Sequence, residues 1–117
     1  MADIHFPKAT REHGELRHKL APAPDDGFRA FSKAVFTPGA LDARTKQLIA
    51  VAVAHVTQCP WCIEGHVKGA RREGASREEI MEAIWVAAEM RAGATFAHST
   101  KTLQMFLDED APQGADK

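Results

Sequence analysis

The residues best suited to chemistry lie in one short stretch, Cys59-Pro60-Trp61-Cys62-Ile63-Glu64-Gly65-His66. Two cysteines separated by two residues can bind a metal, or they can form and break a disulfide. They are the only cysteines in the sequence, and in a reducing cytosol such a pair is more often redox-active or metal-binding than permanently crosslinked. His66 follows Cys62 by four residues, so on a helix its imidazole lies one turn away, where it can exchange a proton with the thiol.

The helix that must position these side chains is predicted to begin at the motif itself. Proline is favoured at the first helical position, so Pro60 makes Cys59 the N-cap and Cys62 the third helical residue. Both sulfurs then lie near free amide groups and the positive end of the helix dipole, which lowers a cysteine pKa below roughly 8.5. The i, i+3 spacing also places the two sulfurs on one face, within reach of a disulfide.

Other interpretations of the cysteine pair stay open at this point. The pair could be half of a zinc site completed by His66, His55 or His98, although zinc sites often have a second close ligand pair and the sequence shows none. The two cysteines could also be buried and without a role. A thioredoxin fold, which begins a helix with the same motif, requires a preceding strand and a sheet, and the chain offers only helical patterns.

Apolar spacing and helix boundary signals predict an all-α domain of about five to six helices. The predicted starts are Asp25-Asp26, the N-cap Asp42, Pro60, and the capping-box pair Ser76 and Glu79. The predicted ends are Pro38-Gly39, Gly74 and Gly93, the last followed by a separate amphipathic helix. The segment from Leu48 to Val56 could form a strand by its β-branched residues, but no other strand exists to pair with it, so a helix is favoured.

The chain is divided into an N-terminal arm over residues 1–26, a helical domain over residues 27–108 and a disordered tail over residues 109–117. The arm is expected to hold one or two helical turns at most, because three prolines interrupt it. The segment from Ile80 to Met90 is apolar on nearly every side, so part of it is expected to meet another subunit. The alternative is that it forms the central helix of a monomer.

Composition limits the classes of function. The 117 residues are 44% hydrophobic and 26% charged, which fits one ordinary globular domain. With 15 basic and 16 acidic residues, the chain shows no charge excess for nucleic acid or an anionic membrane surface. The longest apolar run is far shorter than the roughly 20 residues of a membrane span, and no secretory signal pattern is seen at the N-terminus. A cytoplasmic location is therefore expected.

The run from Phe36 to His55, FTPGALDARTKQLIAVAVAH, followed by the Cys59-x-x-Cys62-x-x-x-His66 pattern, resembles the carboxymuconolactone decarboxylase superfamily. The stretch from Gly74 to Ala83 continues the resemblance, which covers about residues 28–90. The cysteine and histidine signature is similar to the alkylhydroperoxidase D branch rather than to the true lactone decarboxylases, which generally lack the cysteine pair.

The resemblance implies an all-helical homotrimer or homohexamer that acts as a thiol-dependent peroxidase without metal or cofactor. It implies that Cys62 attacks a hydroperoxide, that Cys59 resolves the product, that His66 belongs to a proton relay, and that an external dithiol restores the pair. The family relay includes a glutamate twelve residues before the first cysteine. Here that position is Gln47, whose amide cannot act as a base, and His55 is a candidate to compensate.

The choice of nucleophile and of reaction class has alternatives. The helix dipole favours a thiolate on Cys59, whereas a base within hydrogen-bond reach favours Cys62, and we choose Cys62 because such a base acts more directly. A cofactor-free lyase would instead use His55 and His66 as acid and base. A non-catalytic redox-sensing oligomer is the third alternative, and the amide at Gln47 favours it.

Overall fold

The structure, a computed structural model, describes residues 6–112 of the chain, most of them in five helices. These are α1 (Arg11–Leu20), α2 (Pro22–Phe36), α3 (Ala43–Thr57), α4 (Pro60–Arg72) and α5 (Arg77–Asp110). Residues 6–112 contain no strand, so the prediction of an all-α fold with about five to six helices is confirmed. The segment from Leu48 to Val56, the one ambiguous stretch, is helical and lies within α3. No helix in the described residues is long and apolar enough to cross a membrane.

The predicted starts of α3, α4 and α5 are confirmed by their capping contacts. At α4, Pro60 is the first helical residue and Cys59 is the N-cap. The Asp42 carboxylate accepts a hydrogen bond from the Thr45 amide at the start of α3. Ser76 and Glu79 form a reciprocal capping box at the start of α5. Such caps satisfy amides that have no partner within the helix, which is why short polar residues mark these positions in the sequence.

The prediction that Gly93 ends a helix is wrong, because Gly93 lies inside α5, a single helix of 34 residues. A glycine inside a helix costs only about 1 kcal/mol relative to alanine. Its neighbours Ala92 and Ala94 favour the helix, and the next proline, Pro112, lies beyond the end of α5. One long helix therefore replaces the two that were predicted.

The first 26 residues are also more helical than expected. Thr10 and His13 form a capping box that starts a helix of ten residues, α1. The second helix, α2, begins at Pro22 rather than after Asp25-Asp26, because prolines in a first turn lack only an amide that would be unpaired anyway. The division at residues 26 and 108 stays a prediction, and α2 and α5 cross those two limits. Residues 1–5 of the arm and 113–117 of the predicted tail lie outside the described residues.

The buried core lies where α3 packs against α4 and α5. Val51 of α3 is fully buried among Ala70, Ala75 and Ile80, and three half-buried apolar side chains, Leu48, Val67 and Ile84, pack against this cluster. A tight turn joins α3 to α4: Gln58 adopts a left-handed conformation with φ of 57°, and the Cys59 amide donates to the carbonyl of Ala54 at 3.2 Å. This turn, braced by the core, fixes the position of Cys59.

Candidate redox site

The two cysteines meet at the beginning of α4. Cys59 is the N-cap, and its Sγ accepts a hydrogen bond from the Cys62 amide at 3.3 Å. The Sγ atoms of Cys59 and Cys62 are 2.7 Å apart, and both cysteines are free thiols. Only one turn of helix separates them, so the pair can form a disulfide without rearrangement of the helix.

The surroundings shift the pKa values of the two cysteines in opposite directions. The pKa of Cys59 is lowered, first by the side-chain hydrogen bond with Cys62 and then by the amides of Cys62 and Trp61. The pKa of Cys62 is raised by the same hydrogen bond, by partial burial and by repulsion from the Cys59 sulfur, so the prediction that the helix end lowers both pKa values is wrong for Cys62. When one of the two thiols ionises, the charge therefore resides on Cys59 and the remaining proton on Cys62, as the position of Cys59 at the helix end suggests.

His66 lies one turn further along α4 and is held by two other elements. Its Nδ1 is 2.9 Å from the Gln47 Oε1 of α3, and its ring stacks on Phe36 with centroids 5.1 Å apart and planes 21° apart. Because an amide oxygen only accepts, Nδ1 carries the proton and Nε2 keeps a lone pair. Partial burial lowers the pKa of His66, so the ring is neutral at pH 7. In residues 6–112, no hydrogen bond joins His66 to either sulfur.

Gly69 provides the space that this contact needs, and the sequence interpretation did not single it out. A Cβ at Gly69 would lie 2.6 Å from the Gln47 Oε1 and 2.8 Å from its Cδ. Since those distances are too short for any real contact, a side chain there would force the amide away from His66. The sequence does show a glycine three residues after His66 on the same helix. Its role becomes visible only when α3, which carries Gln47, is packed against α4.

An open groove of about 940 Å³ lies between α2, α3 and α4. Its lining is mostly carbon and includes Phe28, Phe36, Ile49, Val53, Cys62 and His66. Lys46 fixes one wall, because its Nζ donates to the carbonyls of Val35 and Thr37 at 2.7 Å and so ties α3 to the end of α2. An apolar molecule in this groove would lie against the exposed thiol of Cys62 and the imidazole of His66.

The remaining candidate residues lie elsewhere. His55 hydrogen-bonds through Nδ1 to the carbonyl of Val51 at 2.7 Å and is not part of the groove lining. His98 bonds similarly to Ala94 on the distal half of α5. Among residues 6–112, the three potential metal ligands that lie within 4.8 Å of one another are His18, Asp25 and Asp26, which belong to α1 and α2. The structure thus brings together Cys59, Cys62, His66 and Gln47, and leaves His55 and His98 apart.

In reduced protein at pH about 7, iodoacetamide is expected to alkylate Cys59 faster than Cys62, because only the thiolate reacts and the pKa of Cys59 is the lower of the two. Peptide mapping after short exposures across a pH series measures both rates. Cys59 should react below the usual thiol range and Cys62 only above it. In a Cys62→Ala control the pKa of Cys59 should rise, since the donor is lost. Faster labelling of Cys62, the more exposed thiol, would contradict this charge distribution.

Comparison with known proteins agrees with the fold and with the motif. The model of the carboxymuconolactone decarboxylase family matches residues 22–104. Uncharacterized protein 4 in the cox locus of Paracoccus denitrificans is 70% identical over 109 residues, which cover 93% of this chain and 96% of that protein. A carboxymuconolactone decarboxylase family protein from Legionella pneumophila is 35% identical with a TM-score of 0.61, over 78% of this chain and 81% of that one. A family member from Thermotoga maritima is 30% identical with a TM-score of 0.52, over 68% and 92% of the two chains. The chain belongs to the carboxymuconolactone decarboxylase family.

Proposed function

We propose that this protein is a thiol-dependent peroxidase that reduces hydroperoxides with the Cys59–Cys62 pair. The observation that carries the proposal is the pair of free sulfurs 2.7 Å apart, one of which lines an apolar groove together with an imidazole. The likeness to the Thermotoga maritima protein, described as a candidate participant in an antioxidative response, supports the same class of chemistry. We also place the protein in the cytoplasm, where reductants keep such a pair as thiols.

Cys62 is the proposed nucleophile because it lines the groove and is the more exposed of the two cysteine residues. Its proton first passes to Cys59, the neighbouring base at 2.7 Å. The Cys62 thiolate then attacks the terminal oxygen of the hydroperoxide: an S–O bond forms, the O–O bond breaks, and Cys62 becomes a sulfenic acid. The departing alkoxide takes a proton from solvent and leaves as an alcohol, and Cys59 gives its proton to solvent. Nε2 of His66, which lines the same groove, is the side-chain base that can carry this proton between them.

Cys59, again a thiolate, then attacks the sulfur of the Cys62 sulfenic acid. The S–S bond forms, the S–O bond breaks, and hydroxide leaves and is protonated to water. One hydroperoxide is thereby reduced to an alcohol and water while two thiols are oxidised to one disulfide. An external dithiol reduces that disulfide by exchange, and no metal, flavin or nucleotide takes part in any step.

A second candidate function is disulfide exchange with a partner thiol or disulfide, and the lowered pKa of Cys59 favours it. In that reaction Cys59 would attack first, and Cys62 would release the mixed disulfide. Both functions lead to the same Cys59–Cys62 disulfide. They differ in the substrate and in the cysteine that attacks it: Cys62 attacks a hydroperoxide, whereas Cys59 attacks a disulfide. The single-cysteine variants discussed below distinguish them.

Reduced protein exposed to one equivalent of cumene hydroperoxide is expected to lose both titratable thiols and about 2 Da of mass, as one intramolecular disulfide forms. Thiol titration and intact-mass measurement follow the reaction, and a Cys59→Ser/Cys62→Ser protein is the matched control for other oxidation. Addition of a dithiol should restore both thiols. If both remain titratable after the peroxide has been supplied in excess, the peroxidase proposal is wrong.

A further inference from the structure

One face of the His66 ring is covered by the end of α2, a helix that is itself weakly anchored. None of the residues of α2 is fully buried, so apolar packing alone holds this helix to the core only in part. Its last residue, Phe36, is half-buried and stacks on His66 with ring centroids 5.1 Å apart. The position of the imidazole therefore depends on what fixes this last turn.

Lys46 of α3 fixes the end of α2 through its ammonium group. The helix ends at Phe36, and the carbonyls at a helix end have no partner within the helix. The Lys46 Nζ donates to the carbonyls of Val35 and Thr37, the two residues that flank Phe36, at 2.7 Å each. Because the donor is a cation at the negative end of a helix dipole, these bonds are stronger than those of a neutral donor. The backbone on both sides of Phe36 is thus held by one side chain.

Lys46 and Gln47 are consecutive residues of α3, and they hold the imidazole in two different directions. Gln47 contacts the edge of the ring, at Nδ1, over 2.9 Å. Lys46 acts on the face of the ring through the Phe36 side chain. In the part of the chain that the structure describes, Lys46 is the one lysine, arginine or carboxylate residue of the groove lining, and its charge is directed at the two carbonyls. The groups that face the ring, Phe36 from α2, Gln47 from α3 and the thiol of Cys62 from α4, are uncharged.

We propose that Lys46 is a positioning residue of the redox site, which holds the end of α2 so that the Phe36 ring keeps one face of His66 out of water. A covered face agrees with the pKa of His66, which burial holds below its ordinary value. The consequence for turnover rests on the proposed function. The position of the ring, in contrast, can be measured without any hydroperoxide.

Lys46→Met removes the ammonium and keeps the apolar stem of the side chain. In reduced protein, proton NMR of the His66 ring is expected to show two changes. Its ring protons should move downfield, because shielding by the stacked Phe36 ring is lost, and the pKa of His66 should rise towards its ordinary value, because the freed face is hydrated. Lys33→Met is the matched control, since it removes an exposed lysine from the same turn of α2 and should change neither signal. Lys46→Arg keeps a cation with several donors and should stay closer to the native protein than Lys46→Met.

The loss of a nearby positive charge raises a histidine pKa by itself, so a double-mutant cycle with Phe36→Leu separates charge from position. If Lys46 acts through Phe36, Lys46→Met raises the pKa of His66 in the native chain and adds little in the Phe36→Leu chain. An equal rise in both chains would overturn the proposal, as would native ring signals in Lys46→Met. Where Lys46→Met does not fold, the same measurements are made on Lys46→Gln, whose shorter side chain carries no charge.

The peroxidase assay then tests whether the position of the ring matters for turnover. Lys46→Met is expected to lower kcat/KM by about tenfold, since a freed imidazole is the stronger base but no longer holds Nε2 in the groove. Full activity in a Lys46→Met protein whose ring has moved would overturn the role of Lys46 in the redox site. If the native protein consumes no hydroperoxide while the ring responds as expected, the proposed function is wrong and the positioning by Lys46 stands.

Discussion

Replacement of Cys62 by serine is expected to lower hydroperoxide consumption by about 10³-fold or more, to the background rate, because the proposed nucleophile is removed and no other sulfur of residues 6–112 lines the groove. A coupled assay with a dithiol reductant and cumene hydroperoxide measures the loss. The rate should be lost at every hydroperoxide concentration, and kcat/KM should fall accordingly, since the bond-forming atom itself is absent.

Cys59→Ser is the informative partner of this variant. It keeps Cys62, so one equivalent of hydroperoxide should still be consumed and a sulfenic acid should accumulate on Cys62, where a dimedone-type reagent can trap it. Turnover should stop there because the resolving thiol is missing. The opposite result is that Cys62→Ser still consumes one equivalent of hydroperoxide and Cys59→Ser does not. Cys59 would then be the nucleophile, as it is in the proposed disulfide exchange.

Local signals in the sequence were sufficient for the elements that carry the pair. Asp42, Pro60 and Ser76 each satisfy or avoid a free amide at a helix start, and such contacts involve residues only three positions apart. The placement of Cys59 at the N-cap followed from Pro60 alone. The inequality of the two sulfurs also has local causes, since the Cys62 side chain and the helix amides that lower the pKa of Cys59 belong to the same turn.

What the sequence did not indicate depends on contacts between helices. Gly93 could end a helix or lie inside one, and its alanine neighbours favour the continuous helix that is observed. The contact of Gln47 with His66 joins residues 19 positions apart, on α3 and α4. Gly69 acquires its role only because the Gln47 amide passes over it. No pattern of types and spacing along one helix contains this information.

Gln47→Glu is expected to raise peroxidase activity at pH 7 by about tenfold or more, because it would place a carboxylate on Nδ1 of His66. Burial now holds the pKa of His66 below its ordinary value. A carboxylate that accepts the Nδ1 hydrogen bond favours the charged imidazolium and raises the histidine pKa. Nε2 thereby becomes a stronger base, better matched to proton transfer at neutral pH. Titration of the His66 ring by NMR and the coupled assay together test both parts of the argument.

Two further variants separate a proton relay from simple packing. Gln47→Leu keeps the bulk beside Gly69 but removes the acceptor, and Gly69→Ala keeps the amide but displaces it through a contact of 2.6 Å. Both are expected to free the Nδ1 proton of His66 from its partner and to lower activity, because the imidazole is no longer held where its Nε2 can serve the groove. If all three variants match the native rate and pH profile, Gln47 only packs against α4, and His66 takes no part in proton transfer.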